Sequence, residues 1–358
     1  MITTQTTTTN NSVDIVKTLP TIDPAILSGG LVPANFKCTQ VAILGRPNAG
    51  KSTLMNALIE VALSAVSKRP QTTRTSIRGV IQLYNKKKEW NGQVVLVDTP
   101  GVNFKKGMLD RAMHMSIENS LGGVDTIIWA ADCRTFQRDL RDIEMGRPGA
   151  DKMAAFLKDR LQKETHAKWI LVLTKADLVS KNDLLPLIQR AATLLPEFVQ
   201  IVPVASALGM ANKNSNLESL LKIIFDASPV SAPIFSEDDF TDLNDRQLIQ
   251  NLIREAIFTQ TAEEVPYMSD CTILQYIDAD GKTKRMNEVD ATIWVAKDSI
   301  KPILVGAHGS RIKEIGMAVR ARYKEITGDD IVLRLFVKVV EKWDSRASNL
   351  AELGYVLE

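Results

Sequence analysis

Residues 45–52 carry the motif GxxxxGKS, which lies between an apolar run at 41–44 and a helix-prone segment that begins at Thr53. A buried strand that feeds a glycine-rich turn and then a helix is the setting in which backbone N–H groups and a helix N-terminus surround a phosphate. In this setting we expect Lys51 to reach the β- and γ-phosphates and the Ser52 hydroxyl to bind Mg²⁺. A glycine turn with an incidental Lys-Ser pair is the alternative interpretation. The residues predicted to surround a nucleoside triphosphate are Gly45, Arg46, Pro47, Asn48, Ala49, Gly50, Lys51, Ser52 and Thr53.

The motif opens a stretch, from Gln40 to about Phe225, in which short apolar runs alternate with helical patterns. Near-continuous apolar strands separated by helices predict a mostly parallel sheet that helices cover on both faces. We therefore predict an α/β fold, with a P-loop domain over residues 38–227 whose ligands lie at the carboxyl ends of the strands. The apolar runs lie at 41–44, 94–97, 126–131, 169–173 and 200–204.

The composition sets the broad class of protein. A chain of 358 residues has the length of about two domains, and 45% hydrophobic with 24% charged residues is ordinary for a soluble globular protein. The three cysteines, Cys38, Cys133 and Cys271, are scattered, which predicts a reducing cytosol and no disulfide framework. No apolar run reaches the roughly 20 residues that span a bilayer. We expect a cytoplasmic protein without a secretory signal.

Three regions lie outside this alternating pattern. Residues 1–37 are rich in Thr and Asn and predict a disordered tail. Residues 134–167 are charged and helix-prone, with a break at 146–149, and are interpreted as a solvated surface insertion. Residues 228–243 shift to Pro, Ser and acidic residues and predict a linker to a small second domain over 244–358.

Two further segments complete a predicted site for the γ-phosphate. Asp98, in the DTPG that follows the apolar run at 94–97, is expected to hold Mg²⁺ through a water molecule, and the Gly101 N–H to contact the γ-phosphate. In the polar segment at 70–75, Thr73 is expected to place its hydroxyl on Mg²⁺; a hydrophilic connector is the alternative. The predicted catalytic set is Lys51, Ser52, Thr73, Asp98 and Gly101, and the predicted nucleotide contacts extend to Thr72, Thr99 and Pro100.

The sequence Thr174-Lys175-Ala176-Asp177 directly follows the apolar run at 169–173. A carboxylate in the plane of the base accepts from the N1–H and N2–H₂ of guanine, and a site built for such bonds rejects an analogue that lacks them. Asp177 is therefore predicted to select guanine, while Lys175 lies along the base. Ser206 and Ala207 follow the next strand, and the Ala207 N–H is predicted to reach guanine O6. The combined motifs predict GTP binding and hydrolysis, and argue against a nucleotide kinase or an ATPase.

The segments GRPNAGKST, QTTR, DTPG and ASALG resemble the Era family of the translation-factor-like GTPases. Members of that family usually have Asn where this chain has Thr174, so we expect weaker nucleotide binding with guanine selection intact. Val102 lies where Ras-like GTPases carry a water-orienting Gln, which predicts slow intrinsic hydrolysis. In related GTPases an Asn at the position of Asn48 helps to bind K⁺, and the resemblance implies the same role here.

The second domain carries a GxxG motif at 306–309, between an apolar segment and a helix. Such a motif lets a nucleic-acid backbone approach closely, as in KH domains that clamp about four nucleotides. The predicted order of helix, two strands, helix, GxxG, helix and strand fits a small α+β KH domain of the prokaryotic type (type II). The residues predicted to bind RNA are Gly306, Ala307, His308, Gly309, Ser310, Arg311, Lys313 and Arg320.

Charge gives partial support to this RNA site. Residues 301–324 contain six Lys or Arg residues against the single acidic residue Glu314, which indicates a basic surface. A solvated helix face after an ordinary glycine turn is the alternative. Trp343 is expected either to stack on a base or to cap the core.

The resemblance implies the partners and the role of the chain. Era-type GTPases bind the 3′ end of small-subunit rRNA and act in maturation of the 30S subunit, so pre-30S or 30S particles are the expected partners of a monomeric protein. Relatives also contact the membrane peripherally. The alternatives are a GTP-sensing RNA-binding module without turnover, and another tRNA- or ribosome-directed GTPase.

Overall fold

The sheet of the first domain contains six strands in the computed structural model, which describes residues 35–67, 69–87, 89–145, 152–279 and 286–357. These strands are β1 (Lys37–Gly45), β2 (Ile77–Tyr84), β3 (Trp90–Asp98), β4 (Thr126–Asp132), β5 (Lys168–Thr174) and β6 (Phe198–Pro203). Their order is β2-β3-β1-β4-β5-β6, and every neighbouring pair is parallel except β2 with β3. The predicted mostly parallel sheet is confirmed.

Strand β2 is the element that the sequence analysis missed. It pairs antiparallel with β3 at one edge of the sheet, and only part of its length is buried. Its sequence, IRGVIQLY, mixes charged, polar and apolar residues because an edge strand keeps contact with solvent. The near-continuous apolar signal of the central parallel strands is therefore absent from it.

Helices cover both faces of the sheet. On one face, Leu54 of α1 and Leu220 of α6 belong to the same buried cluster as Ile43. On the other face, α2 to α5 bury side chains such as Ile117, Phe136 and Leu187. The helices are α1 (Lys51–Ile59), α2 (Met108–Leu121), α3 (Cys133–Glu144), α4 (Lys152–Lys163), α5 (Lys181–Leu194) and α6 (Leu217–Ala227).

The interpretation of residues 134–167 as a surface insertion was wrong. Phe136 and Leu140 of α3, and Leu157 and Leu161 of α4, are buried in the core of the second face. Each pair is four residues apart, so each helix places one apolar stripe on the sheet while its charged residues face solvent. The break predicted at 146–149 lies outside the described residues.

The predicted tail also falls mostly outside the described residues, which begin at Asn35. Its end is part of the fold. Phe36 is buried and its ring packs edge-on against Trp90, with centroids 4.8 Å apart. Strand β1 then begins at Lys37.

The segment 228–243, predicted to be a linker, packs along the edge of the first sheet. The Phe240 carbonyl accepts from the Val80 N–H at 2.9 Å. The Gln93 side chain accepts from the backbone N–H of Ile234 and donates to the carbonyl of Phe235. These bonds join the connecting segment to β2 and β3.

Over residues 244–279 and 286–357, the second domain has three strands and two long helices. Strand β7 pairs antiparallel with β8, and β8 pairs parallel with β9. The elements are α7 (Asp245–Gln260), β7 (Ser269–Ile277), β8 (Asn287–Val295), α8 (Ile300–Val305), α9 (Ser310–Thr327), β9 (Ile331–Val339) and α10 (Ala347–Glu352). This order confirms the predicted KH arrangement. Asn244 caps α7 by accepting from the Gln247 N–H, which is the boundary that the sequence indicated.

The position of Trp343 decides between the two roles expected for it, stacking on a base or capping the core. Its side chain is fully buried, its indole N–H donates to the Met268 carbonyl, and it packs in a cluster with Leu350 and Tyr355. It is therefore a core residue and cannot stack on a base.

The two domains share a continuous core. One cluster of buried apolar side chains includes Leu58 and Leu63 of the first domain together with Ile253 and Ile257 of α7. No helix among the described residues combines the length and the apolar character needed to cross a membrane.

Candidate nucleotide-binding site and nucleic-acid interface

The loop between β1 and α1 is tightly enclosed by its neighbours. A Cβ atom on Gly45 would lie 2.3 Å from the Ala130 carbonyl oxygen, and one on Gly101 would lie 2.7 Å from the Pro47 Cα. Gly50 has a φ of 85° directly before α1. Only glycine fits these positions, and the loop is consequently held between β4 and the DTPG segment.

Lys51 lies inside this loop. Its ammonium group donates to the carbonyl oxygens of Gly45 at 3.2 Å and Arg46 at 3.0 Å, and the residue is only 6% exposed. Burial lowers the pKa of Lys51 from 10.5 to about 8, although the nearby Asp98 opposes the shift. A polyphosphate beside this ammonium would replace the missing hydration and favour its charged form.

The structure brings Ser52, Thr73 and Asp98 together in a cluster of oxygen atoms. The Ser52 hydroxyl donates to Asp98 Oδ2 at 2.6 Å and lies 3.0 Å from the Thr73 hydroxyl. Ser64, which the sequence analysis missed, also donates to Asp98 Oδ2 at 2.6 Å. Burial raises the pKa of Asp98, while the charge of Lys51 and the hydroxyl donors oppose that change.

This cluster fits Mg²⁺. Asp98 Oδ1 is buried and has no hydrogen-bond partner among the described residues, and the neighbouring donors are hydroxyl oxygens. Hard oxygen ligands of this kind, one carboxylate with hydroxyl groups, suit Mg²⁺. Of the two candidate threonines, Thr73 faces the cluster, whereas the Thr72 hydroxyl contacts Ser67 at 2.6 Å.

A cavity of about 1050 Å³ adjoins the cluster. Its wall includes Arg46 to Thr53, the segment that contains Gln71 to Thr73, Gly101 and Lys175. Phe258 and Thr259, near the end of α7, also line it, so the second domain contributes to the wall. Asp177, Ser206 and Ala207 are not among the residues that line the cavity.

The predicted base-binding motif is joined by a hydrogen bond to the predicted phosphate loop. Lys175, whose φ is 57°, donates to the Asn48 carbonyl at 2.7 Å and to Asp132 at 2.9 Å. Partial burial by itself would raise the pKa of Asp132, but its bonds to Arg134 and Lys175 hold that pKa well below its usual value. Asp132 ends β4 and could have been found from its place at a strand end.

The predicted guanine-selecting loop lies beside the loop after β6. The Ala176 N–H donates to the Val204 carbonyl at 3.1 Å, which brings the segment of Asp177 next to that of Ser206. Asp177 is exposed, whereas the Ser206 hydroxyl is buried and has no hydrogen-bond partner in the part of the chain that the structure describes. These loops continue the site beyond the enclosed cavity.

Arg46 lies in the loop between β1 and α1, where phosphate is predicted to bind, and Val102 contacts the strand residue directly before that loop. The guanidinium of Arg46 forms a bidentate ion pair with Asp139 of α3, at 2.8 and 3.1 Å, which holds the loop against that helix. Val102 is 1% exposed, and its N–H donates to the Gly45 carbonyl. Its buried apolar side chain cannot orient a water molecule.

The GxxG motif forms a short turn between α8 and α9. Gly306, His308 and Gly309 have φ values of 75°, 49° and 77°. A Cβ atom on Gly306 would lie 2.7 Å from Arg311 atoms. Ala307, His308, Ser310 and Lys313 are exposed, so the turn and the start of α9 present backbone and side chains to solvent.

The sequence was compared with known proteins. Residues 40–175 match the model of a family described as 50S ribosome-binding GTPase, and residues 253–344 match the KH domain family. GTPase Era of Trichlorobacter lovleyi is 33% identical over 322 residues, which cover 90% of this chain and 99% of that protein. The chain belongs to the Era family of GTPases.

Further Era proteins give the same result. GTPase Era of Stenotrophomonas maltophilia K279a is 35% identical over 89% of this chain and 97% of its own length. The structure of Era in complex with MgGDPNP and nucleotides 1506–1542 of 16S ribosomal RNA matches with a TM-score of 0.78 and 31% identity, over 90% of this chain and all of that one. An Aquifex aeolicus Era variant bound to GDP and AlF₄⁻ matches with a TM-score of 0.77, 31% identity and the same coverage.

The basic residues near the GxxG turn differ in what they contact. Arg311 donates to the Gln260 carbonyl of α7, and Arg320 lies 3.5 Å from the Leu333 carbonyl. Arg322 faces the first domain, where it donates to the Ala62 carbonyl at 2.6 Å. Lys313 is exposed. The basic surface of this Era-family chain is therefore smaller than the sequence count indicated.

Proposed function

We propose that this chain hydrolyses GTP and binds the 3′ end of small-subunit rRNA during assembly of the small ribosomal subunit. One observation carries the proposal: a single fold holds both the Ser52–Asp98 cluster and an exposed GxxG turn, and it aligns over 90% of its length with Era bound to MgGDPNP and 16S rRNA nucleotides.

The residues of the nucleotide site would act mainly by position and charge. Lys51 holds a positive charge beside the β- and γ-phosphates, and the loop N–H groups surround them. Ser52, Thr73 and Asp98 would hold Mg²⁺, which supplies charge neutralisation on the phosphates when bound. Because Val102 is apolar, no side chain at that position aligns the attacking water. Intrinsic hydrolysis is consequently slow.

Asn48 is proposed to help bind K⁺ beside the phosphates. Its backbone has a φ of 62°, and its carbonyl accepts from Lys175, so the residue is fixed within the loop. A monovalent cation there would add positive charge at the place where charge develops during phosphoryl transfer.

The RNA site is proposed to comprise the GxxG turn and the first turns of α9. Gly306 and Gly309 allow the RNA backbone to approach, while Lys313 and Arg311 supply positive charge. The KH sheet and α9 hold this turn in place. Bases would be read by residues other than Trp343, which is buried.

The first test is RNA binding by the full-length protein with a GTP analogue, with GDP and without nucleotide. The RNA is an oligomer of nucleotides 1506–1542 of 16S rRNA, and a scrambled oligomer is the control. Tight binding that depends on sequence and nucleotide would support the proposal. Equal affinity for both oligomers would contradict the rRNA assignment.

A second test addresses turnover and the ribosomal subunit. Multiple-turnover phosphate release, with and without small subunits, separates a GTPase from a GTP sensor that does not turn over. The family description for residues 40–175 names the 50S ribosome. Co-sedimentation with purified 30S and 50S subunits therefore distinguishes the two partners, and we expect pre-30S or 30S particles to be retained.

The scattered cysteines predict a cytoplasmic location, and the family resemblance predicts a monomer that contacts the membrane peripherally. Fractionation of cells, light scattering and flotation with anionic vesicles test them in turn.

A further inference from the structure

Thr73 and Arg74 are consecutive residues that face different domains. The Thr73 hydroxyl lies 3.0 Å from Ser52 Oγ and 3.4 Å from Asp98 Oδ2, within the proposed Mg²⁺ site. The Arg74 side chain turns the other way and enters the second domain, where it is only 2% exposed. The polar segment at 70–75 therefore contains a buried side chain that anchors it to the second domain.

The Arg74 guanidinium makes three hydrogen bonds to the second domain. Nη1 donates to Asp270 Oδ2 at 2.8 Å and to the Ser269 carbonyl at 3.0 Å, and Nη2 donates to the Pro266 carbonyl at 2.9 Å. The group also lies over the rings of Phe258 and Trp343, 5.5 and 5.6 Å from their centroids. All five partners belong to the second domain.

Asp270 is itself fixed by residues distant in sequence. Arg254 of α7 donates to Oδ1 from Nη2 at 2.9 Å and from Nε at 3.2 Å, and the Tyr355 hydroxyl donates to Oδ2. The carboxylate is fully buried. Removal of one member of such a buried pair would leave the other charge buried without its partner, so the position of Arg74 is strongly determined.

Adjacent Cα atoms are about 3.8 Å apart, so an immobile Arg74 leaves Thr73 little freedom to leave the metal site. We propose that Arg74, held by Asp270, which Arg254 and Tyr355 fix in turn, is a positioning residue for GTP hydrolysis that keeps Thr73 in place. The second domain thus supplies part of the framework of the nucleotide site. This inference rests on the proposed GTPase activity.

The test compares Arg74→Met with Arg78→Met in the full-length protein. Arg78 also pairs with an acidic residue outside the first domain, Asp242 at 2.9 Å, but its side chain is 42% exposed and it lies in β2. In Arg74→Met, Asp270 keeps Arg254 and Tyr355 as partners, so the variant retains a neutralised carboxylate. Melting temperatures establish that both variants fold.

We expect Arg74→Met to lower kcat between about 10- and 100-fold, because a small misplacement of a positioned group has effects of that size. The Kd for GDP should change less than about threefold, since the phosphate loop is intact. Amide hydrogen exchange is measured with Mg²⁺ and a GTP analogue bound. At residues 69–75, exchange should be faster in Arg74→Met than in the unaltered chain. In Arg78→Met it should equal that of the unaltered chain. Arg74→Lys should restore only part of kcat.

Tyr355→Phe provides a second, milder variant, because it removes one donor to Asp270 and preserves the ring. A smaller loss of kcat with faster exchange at 69–75 would support positioning through the cluster. If Arg74→Met lowers the melting temperature but leaves kcat and exchange at 69–75 unchanged, the inference is overturned. If the unaltered chain itself does not hydrolyse GTP, the proposed function fails, and exchange with the bound analogue still decides the inference.

Discussion

The Thr174 hydroxyl donates to the Ala49 carbonyl oxygen at 2.6 Å and so joins the end of β5 to the phosphate loop. The Ala131 carbonyl lies farther from the same hydroxyl, at 3.2 Å. A hydroxyl has one proton, whereas the Asn usual at this position of the Era family has two amide donors and an acceptor. Thr174 therefore makes one strong link between the base-binding and phosphate-binding segments.

Thr174→Val should weaken GDP and GTP binding. The change keeps the shape of the side chain but leaves the buried Ala49 carbonyl without its donor, which costs about 1–2 kcal/mol, or roughly 5- to 30-fold in Kd. Titration with a fluorescent guanine nucleotide measures the effect. Thr193→Val is the control, because the Thr193 hydroxyl bonds only within α5 and is exposed. Equal affinities in the two variants would show that the Thr174 link has no role in binding.

Lys51→Met should abolish triphosphate binding without lowering the stability of the nucleotide-free protein. Buried Lys51 has a pKa near 8 in place of 10.5, so below pH 8 the native state carries the full penalty of a buried charge, about 3 kcal/mol. Thermal melting at pH 7 should give Lys51→Met a melting temperature equal to or above that of the unaltered chain.

The pH dependence of this difference has a definite sign. Between pH 8 and 10.5 the native Lys51 is largely neutral while the unfolded chain still binds the proton, so stability of the unaltered chain rises relative to Lys51→Met. The difference in melting temperature should therefore be smaller at pH 9.5 than at pH 7. A difference that grows with pH would contradict the lowered pKa.

Replacement of KCl by NaCl at equal ionic strength should lower the rate of GTP hydrolysis. The proposed reason is that K⁺ beside Asn48 stabilises charge on the phosphates. Asn48→Ala should hydrolyse GTP at the same low rate in both salts. Because Asn48 has a φ of 62°, which alanine tolerates less well, the Kd for GDP must be measured as well to separate backbone strain from cation binding. Identical rates for the unaltered chain in KCl and NaCl would exclude the K⁺ site.

Gly309→Asp should weaken binding of the 16S rRNA oligomer at least tenfold, because it adds bulk and negative charge where a phosphate approaches. Gly328→Asp is the matched control. Gly309 and Gly328 flank the same helix, α9, with φ values of 77° and 82°, so the backbone strain of both variants is similar, near 1 kcal/mol. Filter binding in a fixed salt concentration measures both. A similar loss of RNA affinity in the two variants would indicate general destabilisation of the domain.

The sequence alone determined the features that depend on which motif follows which strand or helix along the chain. The motif from Gly45 to Ser52 and the Asp98 motif follow strands whose apolar runs are continuous, and parallel strands bring their carboxyl ends to one edge of a sheet. The GxxG turn likewise lies between two helical segments, at the point where one ends and the next begins. Short-range spacing and strand order are sufficient for these predictions, since each element carries its own periodicity.

Tertiary structure decided the pairings between distant residues. Arg74 bonds to Asp270 across 196 positions, and Ser64 reaches Asp98 across 34. The burial of Trp343 also depends on residues that are distant in the sequence, and no local pattern connects them to it. Helices α3 and α4 have many charged residues, and only the structure shows that each also has an apolar stripe buried in the core. A buried ion pair or a core contact depends on three-dimensional proximity, which leaves no periodic trace in the sequence. The Era motifs could thus be read from the chain, whereas the contacts of Arg74 with the second domain became visible only in the folded protein.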